Sequence, residues 1–311
     1  MNLFLTFAII VISIGIAFLI AGYFTFLHAC RRNPLRDPAH KGVVDIEGYA
    51  RKGEEAVAAI RKYESLEKET VCITSRDGLR LVGSYIQSPQ KTNKLIIALH
   101  GYHSCAAADF SLICEDILGH GYSLLLPDQR SHGRSEGKYI CFGALERYDC
   151  KAWCEYAIGR FGEDTEIYLY GISMGASSVI MSTETNLPEN VRAIIADCGF
   201  SSPWEVIKHR IKARYKLPPV PLIYFMNYWS RLLAGFDFRE ASTVDAIKSA
   251  KLPILLIHGT DDATVPVEMS YKNHAAGGNT ALSIYNGVHH TRACSSDFER
   301  YTKDFFEFLK R

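Results

Sequence analysis

The chain has 311 residues, 48% of them hydrophobic and 22% charged, with a formal net charge of +1. That length holds one large α/β domain with an insertion or two smaller domains, the composition excludes a disordered chain, and the charge balance gives no case for a nucleic-acid partner. Nine cysteines, an odd number with no zinc or redox spacing, read as free and mostly buried thiols of a reducing compartment.

From Leu3 to Ala29 run 27 residues without Asp, Glu, Lys or Arg, more than the roughly 20 that a helix needs to cross a bilayer. Tyr23, Phe24 and Phe26 suit an interfacial aromatic belt. A cleaved signal peptide would carry a basic leading region and a small-residue cleavage site, and neither is present. Leu27-His28-Ala29-Cys30 matches a lipoprotein site poorly because of its histidine. Residues 1–30 are therefore expected to be a retained transmembrane anchor that stands apart from the fold. Arg31, Arg32, Arg36 and Lys41 follow the span and no basic residue precedes it. The expectation is a single-pass protein of the cell membrane whose C-terminal domain faces the cytoplasm.

Residues 31–70 read as a linker, broken by Pro34 and Pro38, and then a packing helix within Val44 to Leu66. Val71 to Thr74 and Leu79 to Ile86 flank Asp77-Gly78, a hairpin signal. Lys94 to Leu99 is a continuous apolar run, as in a strand buried on both faces. Ala107 to Leu118 is expected to be helical, Ser123 to Leu126 a strand, Leu145 to Phe161 a helix and Glu166 to Tyr170 a strand. Val191 to Ala196, Leu252 to Ile257 and Leu282 to Tyr285 are further strands, and Phe298 to Leu309 is a closing helix with an aromatic face. Strands alternating with helices predict βαβ units in a mostly parallel, doubly wound sheet. The roughly 55 residues between Ala196 and Leu252 exceed an ordinary crossover. They contain Trp204, Tyr215, Tyr224, Phe225, Tyr228, Trp229, Phe236 and Phe238, and read as a helical cap over residues 199–250 above the ligand-binding edge of the sheet. Lys208, Arg210, Lys212, Arg214 and Lys216 read as a solvated helix face or a contact with anionic lipid.

Gly171-Ile172-Ser173-Met174-Gly175 fits G-x-S-x-G between a strand and a helix. Such a turn lifts the serine hydroxyl above the sheet and aims the N–H groups of the following helix at the same point. A serine hydroxyl needs a histidine to take its proton and a carboxylate to orient that histidine. In a parallel sheet these follow later strands in the order acid, then histidine. The candidates are Asp261 and Asp262 within His258 to Pro266, and His289 and His290 after Gly287. Asp197, at the end of its strand, is a weaker candidate for the acid. The chain carries no metal cluster spacing and no phosphate-cradling glycine loop, so neither cofactor nor metal is expected.

These motifs resemble the α/β-hydrolase superfamily, and within it a membrane-anchored bacterial branch grouped with serine aminopeptidase-like and prolyl-oligopeptidase-like hydrolases. The resemblance covers residues 70–311 and rests on four motifs in order: His100-Gly101, Asp128 to Gly137 with Ser131 where glycine is usual, the turn at Ser173, and His258 to Pro266. It implies Asp262 as the acid, and His290, eleven residues before Tyr301, as the base, with His289 its neighbour. The turn itself offers the Met174 backbone N–H as one donor of an oxyanion hole, and the resemblance implies that of Tyr102 as the other. Asp128, His132 and His258 read as braces for loops beneath the site. The domain itself is set at residues 71–311. The function implied is a serine hydrolase that cleaves a carboxylic ester or thioester of a small molecule through an acyl-enzyme. A serine peptidase, with Glu205, Asp237, Glu240 or Asp245 of the cap to hold a substrate amine, is the alternative. A non-catalytic, membrane-tethered binding module is the third reading.

Overall fold

The computed structural model describes residues 3–38 and 54–310. Eight strands form one sheet in the order β1-β2-β4-β3-β5-β6-β7-β8. They are β1 (Glu69–Thr74), β2 (Arg80–Ile86), β3 (Lys94–Leu99), β4 (Ser123–Pro127), β5 (Glu166–Ile172), β6 (Val191–Asp197), β7 (Ile254–Gly259) and β8 (Thr280–Tyr285). Only β2 runs antiparallel to its neighbours β1 and β4; every pairing from β4 to β8 is parallel. The Asp77-Gly78 hairpin closes with Gly78 at φ +86°, a conformation that favours glycine. β3 and β4 are buried almost throughout because helices cover both faces.

Twelve α-helices lie among the described residues. The first is α1 (Leu3–Cys30), followed by α2 (Glu54–Ser65). The helix expected over Val44 to Leu66 is realised as α2; its 44–53 portion lies outside the described residues. The single helix expected over Ala107 to Leu118 is two, α3 (Ala106–Phe110) and α4 (Cys114–Gly119). Then come α5 (Glu146–Phe161) and α6 (Met174–Met181). The insertion between β6 and β7 supplies α7 (Pro203–Tyr215), α8 (Leu222–Ala234) and α9 (Thr243–Ser249). The chain ends with α10 (Glu268–Ala275), α11 (Ala293–Ser296) and α12 (Phe298–Leu309). Ser202 caps α7 by accepting from the Glu205 N–H, Pro203 opens the helix, and Gly235 closes α8 in the left-handed region. The apolar face of α12 is buried through Tyr301 and Phe305, whose rings meet Tyr285 and Tyr170.

α1 is long and apolar enough to cross a membrane. It does not stand apart from the fold, contrary to the expectation from sequence. Its side chains are exposed over most of its length, but Gly22, Phe26 and Cys30 are buried. From Phe18 to Tyr23 α1 packs along α8. Phe18 stacks on Phe225 at 5.7 Å between ring centroids, Tyr23 meets Trp229 edge-on at 5.0 Å, and the Trp229 Nε1–H donates to the Leu19 carbonyl at 2.8 Å. Aromatic pairs of this kind add roughly 0.5–1.5 kcal/mol each beyond the area they bury.

The expected loose linker is also corrected over its first residues. The Ile140 N–H donates to the Cys30 carbonyl at 2.6 Å and the Arg32 N–H to the Lys138 carbonyl at 2.9 Å. The Arg32 guanidinium donates to the carbonyls of Ser135 (2.6 Å) and Gly133 (2.5 Å). Buried Asp37 accepts from the Gly133 N–H at 2.8 Å. Residues 30–37 are thus stitched to the loop that follows β4. The prolines that suggest a break instead set a short 3-10 turn, Pro34–Arg36. All nine cysteines are free thiols, seven of them buried.

Candidate active site

The strand β5 runs into α6 through Ser173, whose φ of 56° and ψ of −114° hold a non-glycine residue in a strained turn. The flanking glycines are required by contact. A Cβ on Gly171 would strike the backbone of Gly175, and one on Gly175 would strike the Leu99 carbonyl. The turn can therefore fold tightly against the end of β3 only without side chains at these two positions. The Ser173 N–H donates to the Asp197 carbonyl at 2.8 Å, which ties the turn to the end of β6.

The loops after β7 and β8 reach the same point. The His290 Nδ1–H donates to Asp262 Oδ2 at 2.5 Å, and the Ser173 hydroxyl donates to His290 Nε2 at 2.9 Å, in the tautomer that these partners require. The Asp262 side chain is fully buried. Its Oδ1 accepts from the N–H groups of Thr264 and Val265, both at 2.8 Å. Burial opposes ionisation of Asp262, but hydrogen bonds from His258 and His290 outweigh it and hold the carboxyl well below the usual carboxylate range. His258 is itself completely buried. Its Nε2–H is shared between Asp262 Oδ2 (3.2 Å) and the Val265 carbonyl (2.9 Å), and its Nδ1 accepts from the Ser270 hydroxyl at 2.6 Å.

The competing residues lie elsewhere. His289 is exposed and its Nδ1 pairs with the Asp261 carbonyl at 2.9 Å, while Asp261 is itself exposed. The Asp197 carboxylate accepts from the Tyr301 hydroxyl at 3.0 Å. Burial pushes the Asp197 carboxyl up to about 6. Cys198, next to it, brings its Sγ within 4.8 Å of ligand-type atoms of Asp262 and His290.

The loop His100-Gly101-Tyr102 crosses in front of Ser173. His100 is buried; its Nδ1–H donates to the Gly101 carbonyl at 2.8 Å and its Nε2 accepts from the Gln129 N–H at 3.1 Å. His132 Nε2 accepts from the His103 N–H at 3.1 Å, so the loop after β4 holds the end of this loop in place. Asp128 accepts from both the Arg134 N–H (3.0 Å) and the Arg134 Nε–H (2.8 Å), which closes that loop on itself. Of the carboxylates weighed for holding a substrate amine, Glu205 pairs with Lys208, Asp237 with Arg239, Glu240 with Arg147, and Asp245 with Lys248.

Ser173 opens into a cavity of about 230 Å³ whose walls include Tyr102 and Met174. Phe142, Phe200, Ile207, Ile211 and Val265 make the lining largely apolar. Thr25, His28 and Ala29 of α1 also line it, and the Tyr102 hydroxyl donates to the Ala29 carbonyl at 2.8 Å. Nothing in the sequence signals that contribution. The basic run of α7 does not form one face: Arg210 and Arg214 line the cavity, whereas Lys212 and Lys216 line a separate groove.

Residues 90–233 match the family model described as serine aminopeptidase, S33. Among solved structures, the esterase Pf2001 of Pyrococcus furiosus is similar over 80% of this chain and 93% of its own, at 30% identity and a TM-score of 0.64. The Bacillus subtilis protein YqkD is 28% identical over 248 residues, which is 79% of this chain and 81% of that protein. The bifunctional esterase/perhydrolase of Acinetobacter calcoaceticus is 24% identical over 284 residues, 76% of this chain and 99% of the relative.

Proposed function

The chain belongs to the α/β-hydrolase superfamily, and from that premise we propose that it is a serine hydrolase that cleaves a carboxylic ester or thioester through an acyl-enzyme. Ser173 is the nucleophile, His290 the general base and acid, and Asp262 the group that orients His290 and stabilises its imidazolium. The observation that carries this reading is the hydrogen-bonded chain from Ser173 Oγ through His290 to the buried Asp262. Ser173 Oγ attacks the carbonyl carbon while His290 Nε2 takes its proton. The backbone N–H groups of Tyr102 and Met174 receive the developing oxyanion, each worth about 3 kcal/mol in comparable sites. His290 then gives its proton to the departing alcohol or thiol, and water repeats the sequence to release the acid.

The domain organisation proposed with it is a membrane-spanning helix over residues 1–30, a hydrolase domain over 71–311 and a cap over 199–250. The basic residues after α1 favour a cytoplasmic domain. An ester is favoured over an aminopeptide because, among the described residues, no Asp or Glu lines the cavity; its charged lining is basic. The match to a serine aminopeptidase model is the ground for keeping peptides in the assay. The test uses the full chain in detergent, because removal of residues 1–30 would strip a wall from the cavity. A fluorophosphonate probe is expected to label Ser173, and p-nitrophenyl esters to be hydrolysed with a chain-length optimum. Ser173→Ala should lose labelling and at least about 10³-fold in kcat. Labelling that survives the substitution would defeat the assignment.

A further inference from the structure

The cavity at Ser173 takes part of its wall from α1 and part from the cap helices α7 and α8, which come far later in sequence. Counted from Leu3, the ~30 Å hydrocarbon layer takes about 20 residues of helix, which brings its edge to the neighbourhood of Gly22. Tyr23, Phe24 and Phe26 follow at the level of the interface. The next turn carries Thr25, His28 and Ala29 into the wall of the cavity. α8 lies along α1 from Phe18 to Tyr23, and its side chains Tyr224, Tyr228 and Leu232 are each more than half exposed. Leu217 and Val220, just before α8, are exposed as well. An apolar band therefore continues from the lipid-facing surface of α1 across the cap, and the cavity opens beside it.

The charge at this opening has one sign. Arg36, Arg210 and Arg214 line the cavity, and no Asp or Glu does among the described residues. Among the described residues, none of the three arginines lies within ion-pair distance of a carboxylate. Arg210 and Arg214 stand four apart on α7, a like-charge pair that costs helix stability unless an anion offsets it. His103, near Arg36, is pushed down to about 4 by burial, with the positive charge of Arg36 adding to the effect and the negative charge of Asp37 opposing it. Deeper in, the lining is apolar. A volume of about 230 Å³ is below the ~300–1,000 Å³ of sites for larger ligands, and suits one acyl chain rather than two.

We infer that the substrate is a membrane-borne, single-chain acyl ester whose head group carries an anionic, phosphate-like group, taken up beside α1 with the anion on Arg36, Arg210 and Arg214 and the chain in the apolar cavity. This rests on the serine-hydrolase reading. Guanidinium groups suit such a group because they bind phosphate through two parallel hydrogen bonds. α1 is then more than a tether, since its last turn helps to shape the site.

The experiment uses the full chain in phosphatidylcholine vesicles and compares 1-dodecanoylglycerol 3-phosphate with 1-dodecanoylglycerol. The wild type is expected to favour the phosphate ester in kcat/KM. The double variant Arg210→Gln with Arg214→Gln should lower the phosphate-to-neutral ratio by at least about tenfold, and the corresponding lysine variant should restore part of it. A purely structural role would move both substrates together and leave the ratio alone. 1-Butanoylglycerol 3-phosphate, which stays in water, should be the poorer substrate. A wild-type preference for the neutral ester, a ratio unmoved by the double variant, or equal turnover of the butanoyl ester would each overturn the inference. Fluorophosphonate labelling of Ser173 without turnover of either dodecanoyl ester would overturn it while leaving the serine-hydrolase reading intact. Neither labelling nor turnover would remove both.

Discussion

Gly22 of α1 and Phe225 of α8 lie so close that a Cβ on the glycine would sit 2.6 Å from the Phe225 Cβ and 2.8 Å from its carbonyl carbon. Neither atom can move without moving α8 itself. Gly22→Leu should therefore force the two helices apart, at about 1–3 kcal/mol by analogy with overpacked cores. The cavity wall moves with α1, so ester hydrolysis should show a raised KM while fluorophosphonate labelling of Ser173 persists. Gly15→Leu is the control, because a Cβ there meets nothing within 4 Å. Equal thermal midpoints and KM values for the two variants in detergent would count against a fixed packing of α1 on the cap.

His258 shares the Asp262 carboxylate with His290 and is fully buried. His258→Phe keeps a flat ring but leaves the Ser270 hydroxyl and the Val265 carbonyl without this partner, a cost of about 1–3 kcal/mol. Asp262 also loses one of the hydrogen bonds that keep it ionised. Its hold on His290 weakens, and kcat should fall by about tenfold with little change in KM. Denaturant unfolding and ester kinetics on the same sample check both halves. Unchanged kcat in a destabilised variant would leave His258 a packing role only.

Asp197 is buried and its carboxyl is pushed up to about 6 from a starting value of 3.8. Burial is the cause, and the hydrogen bond from Tyr301 reduces the effect without cancelling it. Between these values the folded chain holds a proton that the unfolded chain has released, so this group's contribution to stability is full below pH ~4 and declines as pH rises through about 6. The decline amounts to about 3 kcal/mol. Asp197→Asn, which can still accept from Tyr301, should flatten that dependence and raise the thermal midpoint at pH 8 but not at pH 4. Parallel midpoint curves for wild type and variant across this range would disprove it.

The strands and the serine turn were legible because each is written in a few adjacent residues. A buried apolar run such as Lys94 to Leu99, an Asp-Gly hairpin, or glycines two places either side of Ser173 carry their geometry locally. The order of motifs left Asp261 beside Asp262 and His289 beside His290, and the family resemblance favoured Asp262 and His290; Asp261 and His289 are exposed and pair with each other through the Asp261 carbonyl. The seating of α1 was not legible. An apolar helix reads alike whether lipid or protein covers it, and the contact that decides the matter pairs Gly22 with Phe225. The basic run of α7 misled for a related reason. Residues two apart on a helix point some 200° apart, so a cluster dense in sequence divides between the cavity and a separate groove.

The stitching of residues 30–37 to the loop after β4 has a mechanical consequence. With Arg32 clamped on two carbonyls and Asp37 on the Gly133 N–H, the described residues after α1 leave no swivel between that helix and the globular part. A hydrolase held to a bilayer in this way would keep its reactive serine at a constant height and heading above the surface. It would sweep a plane as it diffused instead of searching a volume.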